Sequence, residues 1–194
     1  MDRDSELALV ARLRAGDASA FETVHREFHG RLFSFLARLA KSRDVAEDLL
    51  EETWLRLVMK GRDLRPDTAL APWLYTVARN LYYSYCRSRS LEADRTEGGM
   101  GFWPNAARHA SPFEEAAANE TGRRIEAALA SLPAMHREAL LLVGAEGLLP
   151  ADASAVCGTT AVAFRQRLHR ARTMLMERLE APEMVTARTG EVLP

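Results

Sequence analysis

The sequence predicts an all-α protein made of two small helical domains joined by a flexible linker, and three observations carry that prediction. Apolar residues recur at the helical period through most of the chain, and nothing in the first half reads as a strand. The segment "SLEADRTEGGMGFWPNAARHASP" holds three glycines and two prolines and keeps no period, which predicts a linker over residues 91–115. The stretch "LPADASAVC", then Gly158, then a longer helix opening at Thr159 or Thr160, is the order of a helix-turn-helix. The expected domains are therefore 1–90, with four helices, and 116–180, with the helix-turn-helix; residues 181–194 are expected to be a disordered tail.

Each element follows from its own signals. Leu7, Val10, Ala11 and Leu13 make one stripe, and Phe21, Val24, Phe28, Leu32, Phe35, Leu36 and Leu39 make the next. Between them, Gly16 suits the end of the first helix and Asp17 or Ser19 the cap of the second. Asp44 is expected to cap a third helix with Val45, Leu49, Leu50, Trp54, Leu57 and Val58 inward, closed by Gly61. After the turn "RDLRPDTA" a fourth helix, "LAPWLYTVARNLYYSYCRSRS", tolerates Pro72 in its first turn. In the second half a helix is expected from about Phe113 to Leu132, followed by "LPAMHREALLLVGAEG", the short Pro-started segment and the long last helix.

Composition narrows the function classes. A chain of 194 residues, 47% hydrophobic and 27% charged, can bury a real core. A formal net charge of -1 argues against a polybasic coat protein for nucleic acid, so any anion-binding role must come from how charge is distributed. Cys86 and Cys157 lack both CxxC spacing and disulfide density, which points to a reducing compartment; the sequence leaves open whether either is redox-active. The charged start "MDRDSE" and the lack of a long apolar run predict no signal peptide and no membrane span, hence a cytoplasmic protein.

Charge is concentrated on the last helix, where Arg165, Arg167, Arg170, Arg172 and Arg178 stand together. Ala161, Phe164, Leu168, Ala171, Leu175 and Leu179 form its apolar stripe, and Val162, Gln166, His169, Arg170 and Thr173 point away from it. Such a helix fits a DNA major groove, with Arg165 and Gln166 reaching base edges and flanking guanidiniums reaching phosphates. An ordinary solvated arginine face remains the alternative for this helix taken alone.

Two further faces lie in the first half. Asp44, Glu47, Asp48, Glu51 and Glu52 form an acidic patch beside Trp54; with no nearby His or Cys it reads as a solvated or protein-docking face rather than a metal site. On the fourth helix Trp73, Tyr75, Tyr82, Tyr83 and Tyr85 interleave with Arg79, Asn80, Arg87 and Arg89, the combination that stacks bases and holds a single-stranded backbone. The alternative there is that Trp73, Leu74, Val77 and Leu81 are core and the tyrosines cover its rim. His25 and His29 in "HREFH" stand at i and i+4, but lack the zinc-peptidase glutamate and a third ligand, and read as surface histidines. No cofactor is expected.

Together these stretches resemble the extracytoplasmic-function sigma factors, promoter-specificity subunits of bacterial RNA polymerase. The resemblance runs from about Glu6 to Ser90 and again from about Arg124 to Leu179. "AEDLLEETWLRL" and "PWLYTVARNLYYSYCRS" look like parts of the family's second sigma region, and "LPAMHREALLL", "EGL" and "RLHRAR" fall at the spacing of its fourth. The resemblance implies that Asp48, Glu51, Glu52, Trp54 and Arg56 bind the clamp helices of core RNA polymerase. It implies that Leu64 to Ala71 is the loop capturing a flipped -10 base, with Trp73, Arg79, Asn80, Tyr83 and Arg87 on the helix beside it. It implies that Thr160, Val162, Arg165, Gln166, His169 and Arg170 contact -35 duplex DNA. It further implies a flap contact, an anti-sigma partner, and a linker that threads near the nascent RNA with Phe102 and Trp103 as anchors or as packing on a domain.

The chain also departs from the family. Ala153 and Cys157 stand where larger aliphatics are usual, with Phe164 expected to fill the space, and Ser84 and Tyr85 replace a typical Asp and Arg. The function expected is a non-enzymatic sigma factor that binds core polymerase, melts the -10 region and reads the -35 element. The alternative is a sigma-like module that titrates an anti-sigma factor without binding DNA.

Overall fold

A computed structural model describes residues 2–96 and 119–180, and these are helices and short connections. In α1, Arg3–Arg14, the Asp2 side chain accepts from the Ser5 amide and so satisfies a backbone donor at the helix start. Gly16 then turns the chain at φ 80, where a Cβ would come within 2.9 Å of the Arg62 guanidinium, so the position suits only glycine. Asp17 caps α2, Ala18–Ala40, by accepting from the Ser19 amide. Arg12 lies 2.8 Å from the Asp17 carboxylate and, with the Ser19 contacts, holds its pKa at about 2.

The cap of α3, Arg43–Lys60, is Ser42 rather than the expected Asp44. Asp44 sits in the first turn instead, where its charge complements the partial positive charge of the helix start. Gly61 follows α3 as expected and opens a single 3-10 turn, Gly61–Asp63. The last helix of this half, α4, runs Leu70–Thr96, past the expected linker start at residue 91. "LEADR" is made largely of helix formers and no glycine intervenes before Gly98, so α4 continues without a break.

The second half holds α5, Glu120–Ser131, capped by Asn119 through the Gly122 amide; the expected start at Phe113 lies outside the described residues. It continues with α6, Ala134–Leu140, a widened π-type turn, Leu141–Ala145, and α7, Pro150–Val156, which begins on its proline. Gly158 turns the chain at φ 60, and Thr160 Oγ1 accepts from the Ala163 amide at 3.1 Å to cap α8, Ala161–Glu180. The helix-turn-helix is therefore α7 followed by α8.

Phe35, Leu32, Leu36, Leu57, Leu74 and Tyr75 are fully buried in the first half, as are Leu142 and Phe164 in the second. These side chains belong to one continuous core. The two halves are packed together, α4 against α7 and α2 against α6. This packing rotates the buried stripe of α4. Leu70, Leu74, Tyr75, Ala78 and Tyr82 are buried, while Trp73, Val77 and Leu81, expected inside, are only half-buried. A helix covered on two sides needs a wider apolar arc than a single stripe supplies. Val58, also expected inward, is 62% exposed. Phe164 is fully buried in the same cluster as Ala153 and Cys157, where its large ring offsets their small volumes.

Candidate nucleic-acid interfaces

The outer face of α8 is open. Phe164, Leu168 and Ala171 anchor α8 in the core, while Leu175 and Leu179 are half-buried and Ala161, also expected in the stripe, is exposed. Thr160, Val162, Arg165, Gln166, His169 and Arg170 are all exposed on the other side. The helix thus presents guanidiniums, an amide and an imidazole from a rigidly seated backbone. Arg167 is half-buried and turned toward Glu138 of α6, whose acidity it strengthens.

On α4 the expected contacts divide. Asn80 and Arg87 are exposed, whereas Trp73, Arg79 and Tyr83 are half-buried. The Arg79 guanidinium lies 4.6 Å from the centroid of the Tyr83 ring, a cation–π contact. Arg79 Nε lies 2.7 Å from Glu138 Oε1, off the line of a directed hydrogen bond, so the attraction is Coulombic. Tyr83 donates its hydroxyl to Glu138 Oε2 at 3.2 Å. Of the tyrosines read as a possible rim, Tyr75 is wholly buried and donates to Glu146, and Tyr85 is 37% exposed.

The loop before α4 is braced from α1. Glu6 Oε1 accepts from the Leu70 amide at 2.8 Å, and Arg3 donates to the Asp67 carbonyl at 2.8 Å. Beside it opens a cavity of about 540 Å³, lined by Lys60, Leu64, Thr68, Trp73 and Thr76, with Ala155 and Val156 of α7 on its far wall. An aromatic wall with hydroxyls and a cation is what an unstacked base needs.

The acidic face of α3 is likewise exposed at Asp48, Glu51 and Arg56, with Glu52 half-buried and 2.8 Å from Arg56. Trp54, expected both inward by period and on that face by resemblance, is buried beneath it, its ring 4.7 Å from His25 and 6.0 Å from Phe21. His25 is half-buried there, and burial followed by the His29 charge lowers its pKa; His29 stays exposed. What composition did not flag is the apolar set beside the carboxylates: Leu55 is 55% exposed, Val58 62% and Met59 68%. Three adjacent large apolar side chains left in water are the stronger mark of a docking face.

Glu138 is fully buried. Burial raises its pKa, opposed by Arg79, by the Tyr83 hydroxyl and by Arg167, while the Cys157 thiol beside it is pushed up to about 12. A carboxyl whose folded pKa lies above its unfolded one stabilises most when protonated, and that contribution falls as pH rises through the raised value. Acidification from pH 7 toward the unfolded value of about 4.5 should therefore raise the Tm of the wild type relative to Glu138→Gln, which has no proton to gain. A Tm difference that stays constant with pH, or moves the other way, would contradict this.

Two family descriptions match the chain in the order this geometry follows: sigma-70 region 2 over residues 24–92 and sigma-70 region 4 over residues 122–175. The ECF RNA polymerase sigma factor EcfG of Rhodopseudomonas palustris is 36% identical over 148 residues, covering 74% of this chain and 76% of that one. The chain belongs to the ECF RNA polymerase sigma factors. The sigma factor CarQ of Myxococcus xanthus is 31% identical over 92% of this chain and 100% of its own. Among solved structures, the sigma factor RpoE of Bartonella quintana, in complex with the anti-sigma factor NepR, superposes with a TM-score of 0.69 at 30% identity, over 83% of this chain and 97% of that one. As an ECF sigma factor, the protein directs promoter recognition in transcription initiation. Among its described residues no helix is long and apolar enough to cross a membrane.

Proposed function

We propose that this sigma factor divides its work among three faces, carried by a domain of about residues 1–90 and one of about residues 116–180. The exposed side of α8 reads -35 duplex DNA through Thr160, Val162, Arg165, Gln166, His169 and Arg170. Arg165 and Gln166 reach base edges and the other cations hold phosphates. The face of α4 with Trp73, Arg79, Asn80, Tyr83 and Arg87, and the cavity beside it, holds the unpaired -10 strand. Melting follows because captured bases stack on protein, each contributing roughly 1–3 kcal/mol, which offsets the few kcal/mol of unpairing. Asp48, Glu51, Glu52 and Arg56, with Leu55, Val58 and Met59, dock on the clamp helices of core polymerase, and Trp54 braces that face from below. The protein acts without catalysis of its own, in the cytoplasm, and takes an anti-sigma partner.

The observation that carries this reading is the exposure of Thr160 at the cap of α8 and of Val162, Arg165, Gln166, His169 and Arg170 along it, opposite Phe164, Leu168 and Ala171 in the core. A module that only titrates an anti-sigma factor has no use for that arrangement. Arg165→Ala or Gln166→Ala should weaken -35 duplex binding about 5- to 150-fold, on the basis of roughly 1–3 kcal/mol per base contact. Core polymerase binding should stay within twofold. Loss of core binding in either variant would overturn the division of labour.

A further inference from the structure

The start of α4 has no capping side chain of its own. Its first intrahelical bond runs from the Trp73 amide to the Ala69 carbonyl at 3.1 Å, which makes Ala69 the capping position, and a methyl group offers the helix start no oxygen. Pro72 has no amide hydrogen to satisfy, but Leu70 does, and Leu70 is fully buried, out of reach of water. Glu6 of α1 fills the role from 64 residues away. Its Oε1 accepts from the Leu70 amide at 2.8 Å, and the carboxylate sets a negative charge at the positive end of the helix.

Arg3 extends this arrangement into the loop. It donates through Nη1 to Glu6 Oε2 at 2.7 Å and through Nη2 to the Asp67 carbonyl at 2.8 Å, so one guanidinium joins the capping carboxylate to the loop backbone. Asp67 stands in a tight turn, in which the Thr68 amide donates to the Arg65 carbonyl at 3.0 Å and Pro66 holds the second position. Leu64, Arg65, Asp67, Thr68 and Ala69 line the cavity beside Trp73, whereas Arg3 and Glu6 do not. α1 therefore holds the loop from outside the cavity.

We propose that Glu6 and Arg3 are positioning residues for capture of the unstacked base: they fix the loop between Leu64 and Ala71 before DNA arrives, without touching the strand. The inference rests on the assignment of that loop and its cavity to the -10 strand. A loop already ordered spares the complex the cost of ordering it, and where only a fraction is ordered the apparent Kd rises by the reciprocal of that fraction.

The test uses holoenzyme reconstituted from core polymerase and the full chain. Its probes are a labelled single strand and a labelled duplex, each enriched by the wild-type holoenzyme from a random pool. Glu6→Ala should weaken single-strand binding about fivefold, the factor that loss of a typical cap corresponds to. Arg3→Ala should weaken it in the same direction. Duplex binding, core polymerase binding and helix content at room temperature should stay unchanged in both. Glu6→Gln keeps a side-chain oxygen for the Leu70 amide and should recover most of the lost affinity. Single-strand, duplex and core binding falling together in Glu6→Ala would mean general unfolding and would overturn the proposal. So would unchanged single-strand binding in Glu6→Ala while Trp73→Ala, whose ring lines the cavity, weakens it; the cavity would then hold the strand without help from α1. Single-strand binding untouched by Trp73→Ala would remove the strand from this cavity, and the reading on which the inference rests would fail together with it.

Discussion

Phe164→Ala should destabilise the protein by about 3–5 kcal/mol, the range for removing a fully buried aromatic ring. Phe164 is the large anchor of α8, and the buried Ala153 and Cys157 in the same cluster are too small to close the space left behind. Against a typical total of about 5–15 kcal/mol, that loss takes much of the stability of the second half. Denaturant unfolding followed by helicity would measure it. Val162→Ala, two residues earlier, removes a side chain that is 58% exposed and should change stability by less than about 0.5 kcal/mol. A Phe164→Ala loss below about 1 kcal/mol would mean that α8 is held by something other than this stripe, and the exposure of its outer face would lose its explanation.

Met59→Asp should cost about 2–4 kcal/mol of core polymerase binding, roughly 30- to 1,000-fold, while leaving Tm nearly unchanged. Met59 is 68% exposed and adjoins Val58 and the carboxylates of α3, so a charge there meets water in the free protein and an apolar partner in the complex. Trp54→Ala should behave in the opposite sense. Its ring is buried against His25 and Phe21, so its loss should lower stability first and core binding as a consequence. Unchanged core binding in Met59→Asp would place the docking face elsewhere.

Helix identity was legible because the apolar period and the cap residues agreed, as at Asp17, Gly16 and Gly158. The α8 face was legible for the same reason: a stripe on one side defines what is left on the other. What sequence missed follows from contacts between distant segments. The inward turn of Tyr75 depends on Glu146, 71 residues away, and Tyr82 lies near Arg137 and Glu138 of α6, which no local period encodes. Glu138 and Glu146 look in sequence like surface residues, since unpaired carboxylates are rarely buried; Arg79 and the Tyr83 hydroxyl for one, and Arg31 and the Tyr75 hydroxyl for the other, make burial tolerable. Trp54 looked like a docking residue beside acids, yet a Trp at an inward helical position is more often core. The exposed Leu55, Val58 and Met59 carried one usable signal: five large apolar residues in the stretch "WLRLVMK" exceed what a single stripe can bury.

The central claim, that this chain confers promoter specificity through two DNA faces, is tested most directly by run-off transcription. Purified core RNA polymerase with this protein, on genomic fragments, should give discrete transcripts that vanish with Arg165→Ala or with Trp73→Ala. Absence of any specific transcript, with core binding intact, would contradict the account and favour the titration module.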